Sequence, residues 1–301
     1  MKRAVIAFLF VPMMLVFLGF SPVIGQEAEP TGPAQVVQEK KDFIKWIDFN
    51  VPHEVIKKAQ KNHGENSNVF EVLAYVALRN ANSFNVKSDV ARITRLMQEI
   101  EKGDTSIIDK VRDNKYFKHY LESYRAILGG IICEESGKTI GYHPIAKGHW
   151  YTCGDDFGNS RSYGFKRKHL GHDIYGSVGA PLVAVEGGTI TELGWNRYGG
   201  WRVGIRSECT KRYYYYAHLR KDKPFAEGLK KGDMVEAGQL IGYLGRTGYS
   251  RKENVNMKEA KPHLHFGLQI IFDKSQEDGA GEIWVDLHAI CRVLSAKRVV
   301  V

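Results

Sequence analysis

The feature that most restricts how this chain folds is a change of period between its two halves. From about residue 38 to 128, apolar residues return at helical spacing, as in "NVFEVLAYVALRNA" and "NKYFKHYLESYRAIL". From about Ala180 the period shortens to two, with glycines between the runs "WRVGIRS", "RYYYYAHL" and "HLHFGLQIIF". Helices gathered in one block and strands in another argue against a βαβ alternation and predict an α+β chain. The connecting text, "LGGIICEESGKTIGYHPIAKGHWYTCGDDFGNSRSYG", is rich in glycine and turn residues and breaks the helical pattern.

Within the helical block, Pro52 lies near a first helical position of "VPHEVIKKAQK". Ser88 is the expected cap, and Gly103 the expected stop, of "SDVARITRLMQEIEKG". The apolar stripes read as helix–helix core. His53, His63 and His119 have no partner pattern and read as surface residues. In the second block, "PLVAVEGGTITELGW" is expected to form strand, Gly-Gly turn and strand.

The N-terminus carries a different signal. Lys2 and Arg3 precede an apolar run, Ala4 to Phe20, and then "SPVIGQEAEP", the order found in export signals. The run is long for a cleaved signal and only just long enough to span a bilayer. Residues 1–25 are therefore a signal peptide or an N-terminal membrane anchor, with membrane association in the second case. Residues 26–37 form a linker, 38–128 a helical domain and 129–301 a β domain. Either way the remainder is expected outside the cytoplasm, extracellular, in the cell wall or at the outer face of a membrane. A formal net charge of +9 suits work at anionic surfaces such as wall polymers or lipid headgroups. The basic residues are spread along the chain without a nucleic-acid-binding motif, so nucleic acid is not an expected partner. Cys133, Cys153, Cys209 and Cys291 show no CxxC spacing, and in an oxidising compartment they allow two disulfides. Cys133–Cys153 is the first pair to consider, since both flank one loop-rich segment; free buried thiols are the other reading.

Residues able to bind metal occur at three separated places in the β text. "KRKHLGHDIYG" holds His169, His172 and Asp173, "YYYYAHL" holds His218, and "KPHLHFG" holds His263 and His265. On a strand, His263 and His265 point to one face, roughly 6.5–7 Å apart along the chain. Leu264 and Phe266 then face the core. His169 and Asp173 are four apart, with Gly171 between them to permit a tight loop. Zinc is commonly held by imidazole nitrogens and a carboxylate, and a third ligand from a distant strand leaves one position open for water. The HExxH pattern of helical zinc proteases is absent.

Taken in order, HxGxD, a Tyr-Ala-His-Leu strand end and HLHFG resemble the lysostaphin-type zinc metallopeptidases, which cut peptidoglycan peptides. The resemblance covers about residues 140–295. It implies a mainly antiparallel β-sheet with a long groove over the metal, and one Zn²⁺ per chain held by His169, Asp173 and His265. It also implies catalytic roles for His218 and His263, and an exported endopeptidase acting on peptidoglycan stem peptides or cross-bridges. His263, not needed as a ligand, would carry the proton, and His218 would stabilise the oxyanion. His172 would point away from the metal. His143, His149 and His288 read as structural, with His143 or His149 a candidate for the groove edge. Tyr214 and Tyr216 share the parity of His218 and are expected on the groove floor, unless a bulge reverses it. "YSRKENVNMKEAKP", residues 249–262, is longer and more charged than the family's usual approach to HxH and would reshape one groove wall. The helical block is expected to cover the groove and hold the enzyme latent. The second hypothesis is a non-catalytic wall-binding or regulatory protein on the same fold. A lipoyl- or biotinyl-like reading of "GDMVEAGQLIGYLG" fails for want of a lysine at a hairpin tip.

Overall fold

The computed structural model describes residues 43–162, 166–277 and 281–301. The expected signal or anchor segment and the linker lie outside these residues. Among the described residues, no helix is long and apolar enough to cross a membrane.

Helix α1 (His53–Asn62) starts directly after Pro52, whose fixed φ suits a helix entry. Helix α2 (Val69–Arg79) is capped by Asn68, whose side chain accepts from the N–H groups of Phe70 and Glu71. Helix α3 (Val86–Glu101) begins at Asn85, which accepts from Ser88 N–H. Ser88 is thus inside the helix rather than its cap. The earlier asparagine prevails because its carbonyl reaches the free N–H groups of the first turn without competing for the helix's own acceptors. Gly103 follows the last turn with φ +93°, a left-handed geometry suited to glycine. A single turn, α4 (Ser106–Asp109), leads to α5 (Lys115–Leu128), capped in the same way by Asn114.

The strands that follow are β1 (Tyr151–Cys153), β2 (Ser160–Ser162), β3 (Lys166–Lys168), β4 (His172–Gly176), β5 (Pro181–Val183) and β6 (Gly188–Asn196). After them come β7 (Gly200–Ser207), β8 (Arg212–Ala217), β9 (Met234–Val235), β10 (Leu240–Tyr243), β11 (His263–Ile270) and β12 (Ile283–Trp284), before the final helix α6 (His288–Leu294). The main sheet runs β1-β4-β11-β8-β7-β6-β9, with β12 also pairing with β11. Its pairs are antiparallel. Strand β5 does not form a hairpin with β6: it pairs with β10 in a separate two-stranded sheet. Gly188 is required by close approach rather than by a turn, since a Cβ there would lie 2.2 Å from the Arg206 carbonyl oxygen on β7.

Alternate residues of β11 divide the two faces. Leu264, Phe266, Leu268 and Ile270 are fully buried and belong to one continuous core that includes Val72, Leu73 and Ile127 of the helices. The helices therefore lie against the face opposite His263 and His265. A charged knot ties the layers. Arg212 on β8 donates to both carboxylate oxygens of Glu186, at 2.6 and 2.7 Å, and to the Ala126 carbonyl of α5 at 2.9 Å.

His143 is fully buried, with Nδ1 accepting from Ile145 N–H at 3.1 Å and its ring 4.2 Å from that of Tyr151. Burial pushes its pKa down to about 4. The unfolded chain takes a proton at this residue near pH 6.5, but the folded chain resists until about pH 4. Stability from His143 is thus complete above pH 6.5 and falls as pH drops through that window. The expected loss is about 3 kcal/mol. Denaturant titrations from pH 7 to 4 should show a correspondingly flatter profile for His143→Gln; parallel profiles would refute this.

Candidate metal centre

Register assembles the site. Antiparallel pairing sets His265 on β11 opposite Asp173 on β4, and His263 opposite Tyr175. On its other side β11 sets His265 opposite Ala217, the last residue of β8, just before His218. His169 approaches from the loop before β4, its backbone held by bonds to Gly158 and Asn159. Gly171 is needed where it stands, since a Cβ there would lie 2.8 Å from the His265 imidazole. Three donor atoms converge: His169 Nε2 to His265 Nδ1 is 2.9 Å, His169 Nε2 to Asp173 Oδ1 is 3.0 Å, and His265 Nδ1 to Asp173 Oδ1 is 3.2 Å. The edges of a tetrahedron around a zinc ion with bonds of ~2.0–2.1 Å measure about 3.3 Å. Two imidazoles and one carboxylate at this spacing fit such an ion.

Two further imidazoles flank the trio. His263 Nδ1 lies 2.7 Å from the Lys261 carbonyl oxygen, so this nitrogen carries the proton, and Nε2 lies 3.8 Å from Asp173 Oδ1. His218 Nδ1 likewise donates to the Thr247 carbonyl at 2.8 Å. The His218 ring centroid is 4.8 Å from that of His263 and 6.1 Å from that of His265. Electrostatics differ sharply across the cluster. Burial, reinforced by the neighbouring His263 and His265, pushes the His218 pKa down to about 3. Burial also lowers that of His265, against the pull of Asp173. Burial works against charge on His169 too, but the Asp156 and Asp173 carboxylates beside it raise its pKa to about 9. Burial would raise the Asp173 carboxyl, yet hydrogen bonding to His169 and His265 holds it well below the usual carboxylate range.

Residues 167–278, which include all five of these side chains, match peptidase family M23. This segment, rather than the whole chain, carries the likeness to the M23 peptidases. The M23 segment is 40% identical over 118 residues to the L-Ala–D-Glu endopeptidase of Bacillus subtilis (strain 168), covering 39% of this chain and 34% of that protein. It is 38% identical over 99 residues to lysostaphin of Staphylococcus simulans, covering 33% of this chain and 17% of that protein. The chain thus spans about a third or less of these curated relatives. A crystal structure of a candidate glycyl-glycine endopeptidase LytM from Ruminococcus gnavus matches with a TM-score of 0.59 and 26% identity, over 84% of this chain and 90% of that one. That span reaches well beyond the M23 segment.

The ligand cluster sits in an open groove, and the structure revises several expectations about its walls. Tyr213 and Tyr215, not Tyr214 and Tyr216, line the groove. Tyr214 and Tyr216 are buried in the core, where Tyr214 donates to Glu186 Oε2 at 2.8 Å and the Tyr216 hydroxyl accepts from Val185 N–H at 2.9 Å. The reason is His218 itself, whose φ of +62° takes it out of strand geometry, so its side chain no longer follows the parity of β8. His172 lies opposite Phe266, on the face away from the trio. Neither His143 nor His149 lines the groove; the adjacent Trp150 does, 59% exposed.

Within the long approach to β11, Tyr249, Met257, Ala260, Lys261 and Pro262 line one part of the groove. Tyr249 stacks on His218 with ring centroids 6.0 Å apart. Among the described residues, none before Trp150 lines the groove, so helices α1 to α5 do not cover it. Their apolar faces are consumed by the core on the opposite side of the sheet. All four cysteines are free. Cys133 Sγ instead contacts Glu135 Oε2 at 3.0 Å and Cys209 Sγ contacts Ser207 Oγ at 3.3 Å, while Cys291 is buried in α6. Two neighbours of the trio carried no sequence signal. Asp156 and Arg161 lie in the glycine-rich connection, where neither period nor motif separates them from ordinary loop residues.

Proposed function

We propose that this chain is a zinc-dependent endopeptidase that hydrolyses peptide bonds in peptidoglycan outside the cytoplasm. The observation that carries the reading is the convergence of three donor atoms within 3.2 Å, with two more imidazoles beside them in one open groove. In this reading His169, Asp173 and His265 hold the ion, residues 129–301 carry the chemistry and the helical domain supports the sheet from behind. Residues 1–25 direct export as a signal or an anchor, on the pattern of Lys2, Arg3 and the apolar run that follows.

A zinc ion bound there supplies Lewis acidity, lowering the pKa of a bound water and polarising a carbonyl. The protein's own groups do the rest. His263, with Nδ1 committed to the Lys261 carbonyl, offers a basic Nε2 towards the ligand cluster, where it takes a proton from the attacking water and returns it to the leaving amine. His218 is held by Thr247 in the same Nδ1-donating tautomer, and its burial keeps it neutral, so that it presents an uncharged imidazole to the groove. Asp173 offsets positive charge at the centre. The groove walls align an extended peptide across it.

The finer substrate is a peptide bearing carboxylates. Exposed Lys168 and Lys261 both line the groove, and Arg167 sits between Tyr198 and Tyr249 in the same wall, 5.8 and 5.4 Å from their ring centroids. Glu192, Glu277 and Glu282 line the groove as well, but six Lys and Arg side chains face four carboxylates there, a balance that favours peptides with an acidic residue, such as the L-Ala–D-Glu in the Bacillus relative's name, over a neutral oligoglycine bridge. The test is to incubate the zinc-loaded full chain with purified peptidoglycan and identify released fragments by mass, alongside an L-Ala–D-Glu stem peptide and pentaglycine. Faster cleavage of the stem peptide is expected. Preference for pentaglycine would refute the acidic assignment, and zinc-loaded protein that releases no fragment would refute the enzyme.

A further inference from the structure

The loop Gly154–Asn159 stands behind the ligand cluster and takes no part in the steps above. Asp156 lies at its centre. Its main-chain oxygen accepts from His169 Nδ1 at 3.0 Å, and its carboxylate Oδ2 is 3.1 Å from the same nitrogen. The other carboxylate oxygen, Oδ1, is 3.0 Å from His172 Nδ1. His172 reaches on through Nε2 to Asp286 Oδ1 at 2.9 Å, and Asp286 accepts from the His288 N–H at the start of α6. On the opposite side Arg161 Nη2 bridges Asp156 Oδ2 at 2.9 Å and Asp173 Oδ2 at 2.8 Å. The loop is also clamped by its backbone. Gly158 N–H donates to the His169 carbonyl at 2.8 Å, and His169 N–H donates to the Asn159 carbonyl at 2.9 Å. Phe157 stacks on His172 with centroids 6.4 Å apart.

An imidazole presents a lone pair at Nε2 only when its proton sits on Nδ1, and the acceptor facing Nδ1 selects that tautomer and fixes the ring's rotation. His169 points Nε2 at the other two donors and Nδ1 at two Asp156 oxygens; Arg161 Nη2, 3.1 Å from Nδ1, has carboxylate acceptors at 2.9 and 2.8 Å to which it donates instead. We propose that Asp156 is the positioning residue of the metal site, holding His169 in the tautomer that presents Nε2, and that the His172–Asp286 strut and Arg161 hold Asp156 in turn. The proposal rests on the reading of His169, Asp173 and His265 as metal ligands. Asp155, His172 and Asp286 also approach one another closely enough to suggest a second ion. His172 Nε2 is bonded to Asp286, however, and Nδ1 faces both the Gly154 carbonyl at 3.3 Å and Asp156 Oδ1, so the group reads as a polar strut leading to the Asp156 loop.

Zinc affinity of the full chain, measured by competition with a chromogenic chelator, tests the proposal independently of turnover. Asp156→Ala leaves the main-chain acceptor on His169 Nδ1 but removes the carboxylate that also faces it and anchors Arg161, so binding should weaken towards the lower end of the ~10–100-fold usual for an outer partner. Asp156→Asn, which keeps an acceptor of the same shape, should recover part of the loss. Asp286→Asn should weaken binding a few-fold by itself but add nothing in the Asp156→Ala background, because its effect passes through Asp156. Parent-like affinity in Asp156→Ala, or an Asp286→Asn effect that persists in full without Asp156, would overturn the assignment. Unfolding midpoints of the metal-free variants report whether the loop merely supports the fold. If Asp156→Ala does not fold, Asp156→Asn carries the same comparison. A parent chain that binds no zinc would overturn the ligand reading itself, and this proposal with it.

Discussion

His265→Ala should strip zinc from the protein, whereas His263→Ala should retain the metal and lose hydrolysis. The two residues share a strand face, but only His265 brings a nitrogen within 3.2 Å of both other donors. His263 stands back, its Nε2 3.8 Å from Asp173. Removing one of three protein ligands should weaken zinc binding by more than the ~10–100-fold expected for an outer partner. Removing a positioned base should lower turnover ~10²–10⁴-fold with metal content unchanged. Metal analysis of both variants after gel filtration, followed by cleavage assays at saturating zinc, separates the two outcomes. Equal metal loss in both variants would show that the division of labour along the strand is wrong.

Arg212→Ala should unfold the molecule far more easily than its distance from the groove suggests. The guanidinium is 7% exposed and its Glu186 partner 17%, and the same arginine satisfies the Ala126 carbonyl at the end of α5. Taking away the cation strands a largely buried carboxylate and a helix-terminal carbonyl, a loss of about 3–5 kcal/mol. Replacing both members, as Arg212→Met with Glu186→Leu, should recover much of that, because no charge is then left uncompensated. Urea denaturation of the full chain gives the comparison. A loss below about 1 kcal/mol for Arg212→Ala would mean that solvent reaches Glu186 freely.

The parts of this protein legible in its sequence are those whose causes are local. Period separated the helices from the strands, and alternation on β11 placed His263 and His265 on one face with Leu264 and Phe266 behind them. The five metal-site candidates could be named from residue type and order along the chain. Each failure came from a cause that acts at a distance or at one special backbone angle. Ser88 looked like a cap because the competing Asn85 could be ranked only by geometry. Gly187 and Gly188 looked like a turn, although Gly188 is a point of contact between strands. Counting back from His218 places Tyr214 and Tyr216 in the groove, but a single left-handed residue at the strand end exchanges the two faces.

What the sequence by itself determined is the inventory: an α+β chain, a strand with two histidines in phase, and further imidazoles and a carboxylate at separate places. Tertiary structure decided which of them meet. Asp173 faces His265 because β4 and β11 pair in one register, and a shift of one residue would send every side chain to the opposite face. Asp156 reaches His169 across a loop with no period to reveal it, and the helices take the far side of the sheet because its apolar face is there. Period is a property of neighbours in the chain, whereas register and loop closure depend on the packing of the whole molecule.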